Sequence, residues 1–404
     1  MNKLVLYISG MHKLRSTKRV LFSILLLSLL AAATLPAADL SVSDLELITR
    51  GRWENQRLLL STRGRSEISL SGGYKFGGNL QLGFESSDLS FAGADSPDYG
   101  DYTDADAYST AVLEYLDKQT NLEFRGADII YRGVFGSDVD LSYFIGHKQR
   151  LVSAETFPDV FGSRPISTKY QGYLYFPKLE YRGIHSVRGT GLEFSSDFGD
   201  ENIRGNLYLY QDSLLPEGNY STDVQFMLSQ EQLKIELFAG ASFPQGEYGL
   251  YRGGFLFYYR PAERGEFFAQ IGLPYYRPFE QLTIDDFYFL FEPRVHFDYV
   301  SIITTLFWHP ERYLMQETGD AGSADIHFNL LFGDQEKNPI TGGFETNFNL
   351  ETSDTGIQDF SITTSPYLSA VTSGVIWNFM VNVTLLPYSL EDMFEGIIGV
   401  KAVF

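Results

Sequence analysis

Residues 341–351, TGGFETNFNLE, alternate with a period of two. Phe344, Phe348 and Leu350, with Thr346 among them, fall on one face, and Glu345, Asn347, Asn349 and Glu351 on the other. That is the period of a β-strand, whose successive side chains point to opposite sides. The pattern returns in 325–334, where Ile326, Phe328, Leu330 and Phe332 alternate with His327, Asn329, Leu331 and Gly333. Similar segments occupy 68–76, 80–84, 139–145, 192–198, 224–228, 233–243, 255–259, 302–308 and 377–385, and no segment shows convincing helical periodicity. The chain is therefore expected to be all-β, with an apolar face on every strand that must be kept from water. A soluble sandwich or solenoid hides that face in a core, whereas a transmembrane barrel turns it to lipid.

Composition bears on the choice. There are 33 Phe and 26 Tyr, yet mean hydropathy is −0.12, because alternation hides an apolar band from window averages. Within 1–38, Lys13, Arg15, Lys18 and Arg19 precede an apolar run from Val20 to Leu30 and then small residues. That is the order of a secretory signal peptide, and the run is too short for an ordinary spanning helix. Residues 1–38 are read as this leader, with cleavage after Ala33, Ala37 or Ala38 and Met11 as an alternative start; 39–404 are read as one domain. Residues 1–38 hold five basic and no acidic side chains, so the remainder has 26 Lys and Arg against 51 Asp and Glu, a formal charge of −25. Nucleic acid, which needs basic patches, is excluded as a partner. The chain has no cysteine, hence neither disulfide nor thiolate metal site.

In the last stretch, GIIGVKAVF, Ile398, Val400, Ala402 and Phe404 alternate with Ile397, Gly399, Lys401 and Val403. This resembles the C-terminal signal of bacterial outer-membrane β-barrel proteins, although that family often has an aromatic residue where Ala402 stands. The resemblance implies that Ile398, Val400, Ala402 and Phe404 are read by the barrel-assembly machinery, and that the last strand closes an antiparallel barrel against the first, in outer-membrane lipid. With short connections assigned to the periplasm, 13 strands alternate in direction from Thr190 onward. The whole is expected to have about 16 to 20 strands, 18 being favoured because such barrels have even numbers. One ascending strand, from LELITRGR or RLLLSTR, must precede Ile68.

Two local readings are less direct. In ISLSGGYKFGGNLQLGF, a three-residue Gly77-Gly78-Asn79 loop pairs Phe76 with Leu80 and Tyr74 with Leu82, which keeps both apolar sets on one face; a two-residue Gly-Gly turn would separate them. Residues 147–187 are read as a long connection between strands or a loop folded into the lumen, since FPDVFG faintly resembles the constriction loop of general porins.

The lumen-facing candidates are Glu345, Asn347, Asn349, Glu351, His327, Asn329, Lys234, Glu236, Asn378 and Asn382. A barrel of about 16 to 18 strands leaves an aqueous channel. The expected function is accordingly diffusion of small polar solutes, with a cation preference from the acidic balance. The alternatives are a transporter of hydrophobic compounds resembling the long-chain fatty acid family, which inward Tyr208, Tyr210, Phe238 and Tyr258 would suit, and a surface adhesion barrel. No histidine stands in a spacing that suggests catalysis, so an enzyme is not expected. The acidic stretch 91–109 is read as a solvated loop. Asp98, Asp101, Asp104 and Asp106 are its candidate cation ligands, but the glycine and closing glutamate of an EF-hand are missing, and no metal or other cofactor is expected. Arg50, Arg52, Arg57, Arg63 and Arg65 form a basic cluster, read as facing the lumen or periplasmic rim, or as a solvated turn. Oligomeric state is left open.

Overall fold

The computed structural model describes residues 38–54, 57–89, 97–98, 104–153, 183–199, 201–215, 219–243, 249–262, 264–314, 316–317, 321–333, 337–353, 356–388 and 393–403. The leader-like residues 1–37, Asp101, FPDVFG and Phe404 lie outside them. The strands are β1 (Ala38–Glu54), β2 (Arg57–Gly73), β3 (Phe76–Ser86), β4 (Asn121–Tyr131), β5 (Val139–Leu151), β6 (His185–Ser196), β7 (Ile203–Asp212), β8 (Tyr220–Ser229), β9 (Leu233–Phe243) and β10 (Leu250–Ala262). They continue as β11 (Gly265–Tyr276), β12 (Tyr288–His296), β13 (Val300–Trp308), β14 (Arg312–Tyr313), β15 (Gln316–Glu317), β16 (Ser323–Phe332), β17 (Ile340–Ser353), β18 (Gly356–Thr372), β19 (Val375–Leu386) and β20 (Phe394–Val403). All except β14 and β15, which pair only with each other, belong to one 18-stranded sheet. Each barrel strand pairs antiparallel with the next, and β20 returns to β1 through Leu45↔Ala402 and Leu47↔Val400, so the sheet closes without an edge. An even strand number places Ala38 and Val403 at the same end of the barrel.

Burial follows the alternation. On β9, Lys234, Glu236, Phe238 and Ser242 are buried while Leu237 and Phe243 are exposed; on β17, Glu345 is 1% exposed and Phe344 is 42%. Exposed apolar residues on neighbouring strands, such as Phe226, Leu237, Phe267, Phe289 and Leu306, form an outward apolar surface. Only lipid accommodates such a surface without loss, and strands can cross it because the closed ladder satisfies their backbone groups. Among the described residues no helix is long and apolar enough to cross a membrane.

The connections at 74–75, 132–138, 197–202, 230–232, 263–264, 297–299, 333–339 and 373–374, none longer than seven residues, lie at the end of Ala38, and every longer one, including 87–120, 152–184 and 309–322, lies at the other, together with short connections such as 55–56 and 354–355. In outer-membrane barrels the short-turn end is periplasmic and the long-loop end extracellular. The alternation expected over 13 strands from Thr190 is the observed one, and LELITRGR supplies the ascending strand before Ile68, while RLLLSTR begins β2 itself.

Two expectations are corrected. The first hairpin turns at residues 74–76, not at 77–79, because Gly73↔Gly77, Leu70↔Leu80 and Ile68↔Leu82 are paired. Gly73 adopts φ +90°, a conformation glycine enters without strain, Phe76 stacks on Tyr131 at 4.8 Å, and Arg132 Nη1 donates to Tyr74 O at 2.5 Å. The register moves by an even number of residues, so the apolar sets still share a face. The second correction is a helix, α1 (Ala105–Lys118), in the connection read as an acidic loop. Asp104 is its N-cap and accepts from the Ala107 N–H at 2.8 Å. This carboxylate, offered as a cation ligand, thus satisfies a helix start. Asp98 is exposed.

Candidate functional site

The inner wall of the barrel is the candidate site, and strand parity decides which side chains reach it. Cα partners across a ladder share a face. The sequence candidates that the structure brings closest together lie on β16 and β17, where His327 Nε2 is 2.9 Å from Glu345 Oε2. Asn347 and Asn349 donate through Nδ2 to Asp325 Oδ1 at 3.2 and 3.0 Å, and Asp325 Oδ2 meets His309 Nε2 at 2.5 Å. Asn329 Oδ1 accepts from the Tyr367 hydroxyl at 2.8 Å. Glu351 is opposite Ser323 on the same face. On β19, Asn382 accepts from Ser365 Oγ at 2.8 Å and donates to Glu395 Oε2 at 3.0 Å, while Asn378 is buried opposite Ser369. On β9, Glu236 Oε1 accepts from Gln225 Nε2 at 2.6 Å, and Lys234 Nζ reaches Ser229 Oγ at 3.5 Å.

Of the densest part of the wall, the sequence singled out Tyr210 alone, as an inward aromatic. Arg252 on β10 donates from Nε and Nη2 to Asp223 Oδ1 and Oδ2 on β8, each at 2.8 Å, and from Nη1 to Ser242 Oγ at 2.6 Å. Tyr210 donates to Asp223 Oδ2 at 2.7 Å, and His185 Nε2 lies 3.0 Å from the Tyr210 hydroxyl. The bidentate pair is sealed, with side-chain exposures of 1% and 0%. Gly240 makes room for it, since a Cβ there would stand 1.8 Å from Asp223 Oδ1. Nearer the short-turn end, Arg294 donates to Glu292 Oε1 at 2.8 Å and Glu266 Oε2 at 3.0 Å, and Thr305 Oγ1 donates to Glu292 Oε2 at 2.6 Å. Parity alone assigns all these residues to the inner face; their partners depend on register and on strands two apart, which periodicity does not report.

The ends of the 152–184 connection turn inward. The Val152 N–H donates to Glu236 Oε1 at 2.6 Å and its carbonyl accepts from Gln270 Nε2 at 2.7 Å. Val152, Ser153 and Ile184 are fully buried. Ile184 occupies space left by Gly254 and Gly272, because a Cβ on Gly272 would lie 2.4 Å from Ile184 Cδ1 and 2.7 Å from Gly253 O. Backbone cannot yield there, so Gly272→Ala should destabilise the barrel by about 1–3 kcal/mol. Gly265→Ala, with nothing within 4 Å of the added carbon, serves as control. Equal urea midpoints for the two variants would contradict this packing.

The five arginines singled out in the sequence share one face. Pairing of Arg65 with Glu46, of Arg63 with Ile48 and of Arg50 with Ser61 puts them on the side of buried Glu46 and Ile48, and Arg52 and Arg57 continue the same parity towards the β1–β2 hairpin tip. This hairpin end is the long-loop end, so the cluster is not at the periplasmic rim. Arg50 Nη1 lies 3.9 Å from Glu395 Oε1, and Arg65 Nη2 3.5 Å from Glu67 Oε2.

No protein-family model matches this sequence. No curated protein matches it either. Solved structures do: the barrel is similar to OccK8 (OprE) of Pseudomonas aeruginosa, with a TM-score of 0.51 and 9% identity over 91% of this chain and 98% of that one. The fold is that of an outer-membrane porin. OpdK of the same organism, at TM-score 0.48 and 10% identity, and OccAB2 of Acinetobacter baumannii, at 0.47 and 12%, each cover 98% of their own chain and 91% of this one. At such identities the likeness concerns the porin-type barrel and its strand order, while the side chains of the lumen belong to this chain alone.

Proposed function

We propose that this porin-type barrel is a diffusion channel for small polar solutes with a preference for cations. The observation that carries the reading is the inner wall: on an 18-stranded scaffold, wide enough for water, its open positions are polar, as at Arg63, Gln81, Asn347, Asn349 and Glu351. The alternative of a path for hydrophobic compounds is less well supported. Tyr208, Tyr210, Phe238 and Tyr258 do face inward, but all are at most 5% exposed, and the two tyrosine hydroxyls from β7 are committed to Gln149, Gln225 and Asp223. They pack the wall and offer no open apolar track.

The cation preference rests on the acidic balance, 51 Asp and Glu against 31 Lys and Arg, and on inward carboxylates that keep part of their surface open, such as Glu351 and Glu395. Their summed field concentrates cations over about a Debye length, roughly 8 to 10 Å. The arginine strip on β1 and β2 opposes it locally. In planar bilayers, purified protein should conduct, and the reversal potential across a salt gradient should be that of a cation-preferring pore, fading as salt rises. Arg63→Gln should strengthen the preference. An anion-preferring pore would overturn the ion preference alone; absent conductance with saturable uptake of a fatty acid would overturn the channel.

A further inference from the structure

At the short-turn end, the inner walls of β3 to β8 enclose a cavity of about 590 Å³. Apart from Ile130 and Met227 its lining is polar, and it contains no aromatic ring. Lys148 stands in this lining, with Nζ 2.8 Å from Asp128 Oδ2, 2.9 Å from Glu193 Oε2 and 3.2 Å from Ser142 Oγ. The three charged side chains are only 14%, 11% and 8% exposed. Two carboxylates around one ammonium leave a surplus negative charge, held where the dielectric is lower than in bulk water and Coulomb attraction correspondingly stronger. Gln81 and Gln149 add neutral amides to the lining. Arg204, next to the 197–202 turn, brings a guanidinium whose side chain is 51% exposed and whose Nε lies 3.8 Å from Asp197 Oδ1.

We propose that this cavity is a transient binding site for small zwitterions of amino-acid or short-peptide size, carrying an ammonium and a carboxylate. The proposal rests on the channel reading and gives it a substrate class. The surplus charge of Asp128 and Glu193 receives the ammonium, and the Arg204 fork receives the carboxylate, its loose contact with Asp197 being readily exchanged. Side-chain amides suit the peptide groups between. An aromatic-free, polar lining offers neither a stacking platform for sugar rings nor cover for a hydrophobe. Such a site also meets the demand of permeation, that a solute bind well enough to enter and weakly enough to leave. Its place in the periplasmic half makes it the last station before release.

Block of the ion current through the intact barrel tests this, with glycylglycine compared with glycinamide, acetylglycine and glycerol. Glycylglycine should block at concentrations about tenfold lower than the others, the worth of one charge-assisted hydrogen bond. Its association should be faster from the short-turn side. Arg204→Gln should bring glycylglycine to the level of glycinamide, and Asp128→Asn with Glu193→Gln to that of acetylglycine. Should the double variant fail to fold, Arg204→Gln, on a half-exposed side chain, keeps the test open. Equal block by all four solutes in a conducting pore would overturn the proposal. Should the barrel not conduct, the channel reading falls, and calorimetric titration of the folded protein with glycylglycine decides the site: heat that Arg204→Gln abolishes upholds it, and no heat overturns it.

Discussion

Phe348→Arg should destabilise the inserted barrel by about 2–4 kcal/mol if its position lies near the bilayer midplane, whereas Asn347→Arg should cost far less. The two residues are neighbours on β17 with opposite faces. Phe348 pairs with Ile326 and Ile362 and stacks on Phe360, with ring centroids 6.5 Å apart, all on the outward side. An arginine there must pull its charge through hydrocarbon or thin the bilayer around it. Asn347 pairs with His327 and donates to Asp325, so an arginine in its place finds a carboxylate within reach. Urea titration of protein inserted in lipid vesicles, read by the mobility shift between unheated and boiled samples, measures both. Equal losses from the two substitutions would argue that the inner face is as dry as the outer.

The other large effect is expected at the sealed ion pair of β8 and β10. Asp223→Ala leaves the Arg252 guanidinium buried without its bidentate partner, a change that costs about 3–5 kcal/mol. It also strips the Tyr210 hydroxyl of its acceptor. Replacing both members, as Asp223→Leu with Arg252→Met, should recover most of the loss, because two apolar side chains of similar volume carry no desolvation penalty. The same urea titration compares them. A double variant no more stable than Asp223→Ala would mean that the hydroxyl network around Ser221, Ser242 and Tyr210 depends on the charge itself.

Strand identity and strand direction were legible because a half-buried strand declares both faces in every pair of residues, and a slip of one would exchange them. Local geometry was less so. Gly72-Gly73 and Gly77-Gly78 are equally able to turn the first hairpin, and the choice is made outside the hairpin, by Tyr131 and Arg132 on the β4 side. Helix α1 escaped although Tyr108, Ala111, Val112 and Tyr115 stand at helical spacing and are half-buried, because that stripe spans barely two turns and the exposed Leu113 and Leu116 blur it. For the lumen, parity tells that Asp223, Arg252 and Glu236 point inward. It does not tell that Arg252 reaches over β9 to Asp223, or that Glu236 holds the backbone of Val152, 84 residues away in the chain.

The inner wall is unevenly covered around its circumference. On β7 to β13, Tyr208, Asp223, Glu236, Leu256, Phe268, Leu290 and Ile303 are completely shielded, whereas on β2 to β4 the inward Arg63, Arg65, Gln81 and Asp128 keep part of their surface open. On the channel reading proposed above, water and solute pass off-centre, through a crescent bounded by β2 to β4, with the opposite arc serving as a buttress. A molecule in transit is read by one wall instead of a surrounding ring, so it can keep its far side hydrated throughout. Substitutions should divide accordingly: those at the shielded buttress positions register as lost strength with little change in current, and those at open inward positions as altered traffic through a barrel of unchanged strength.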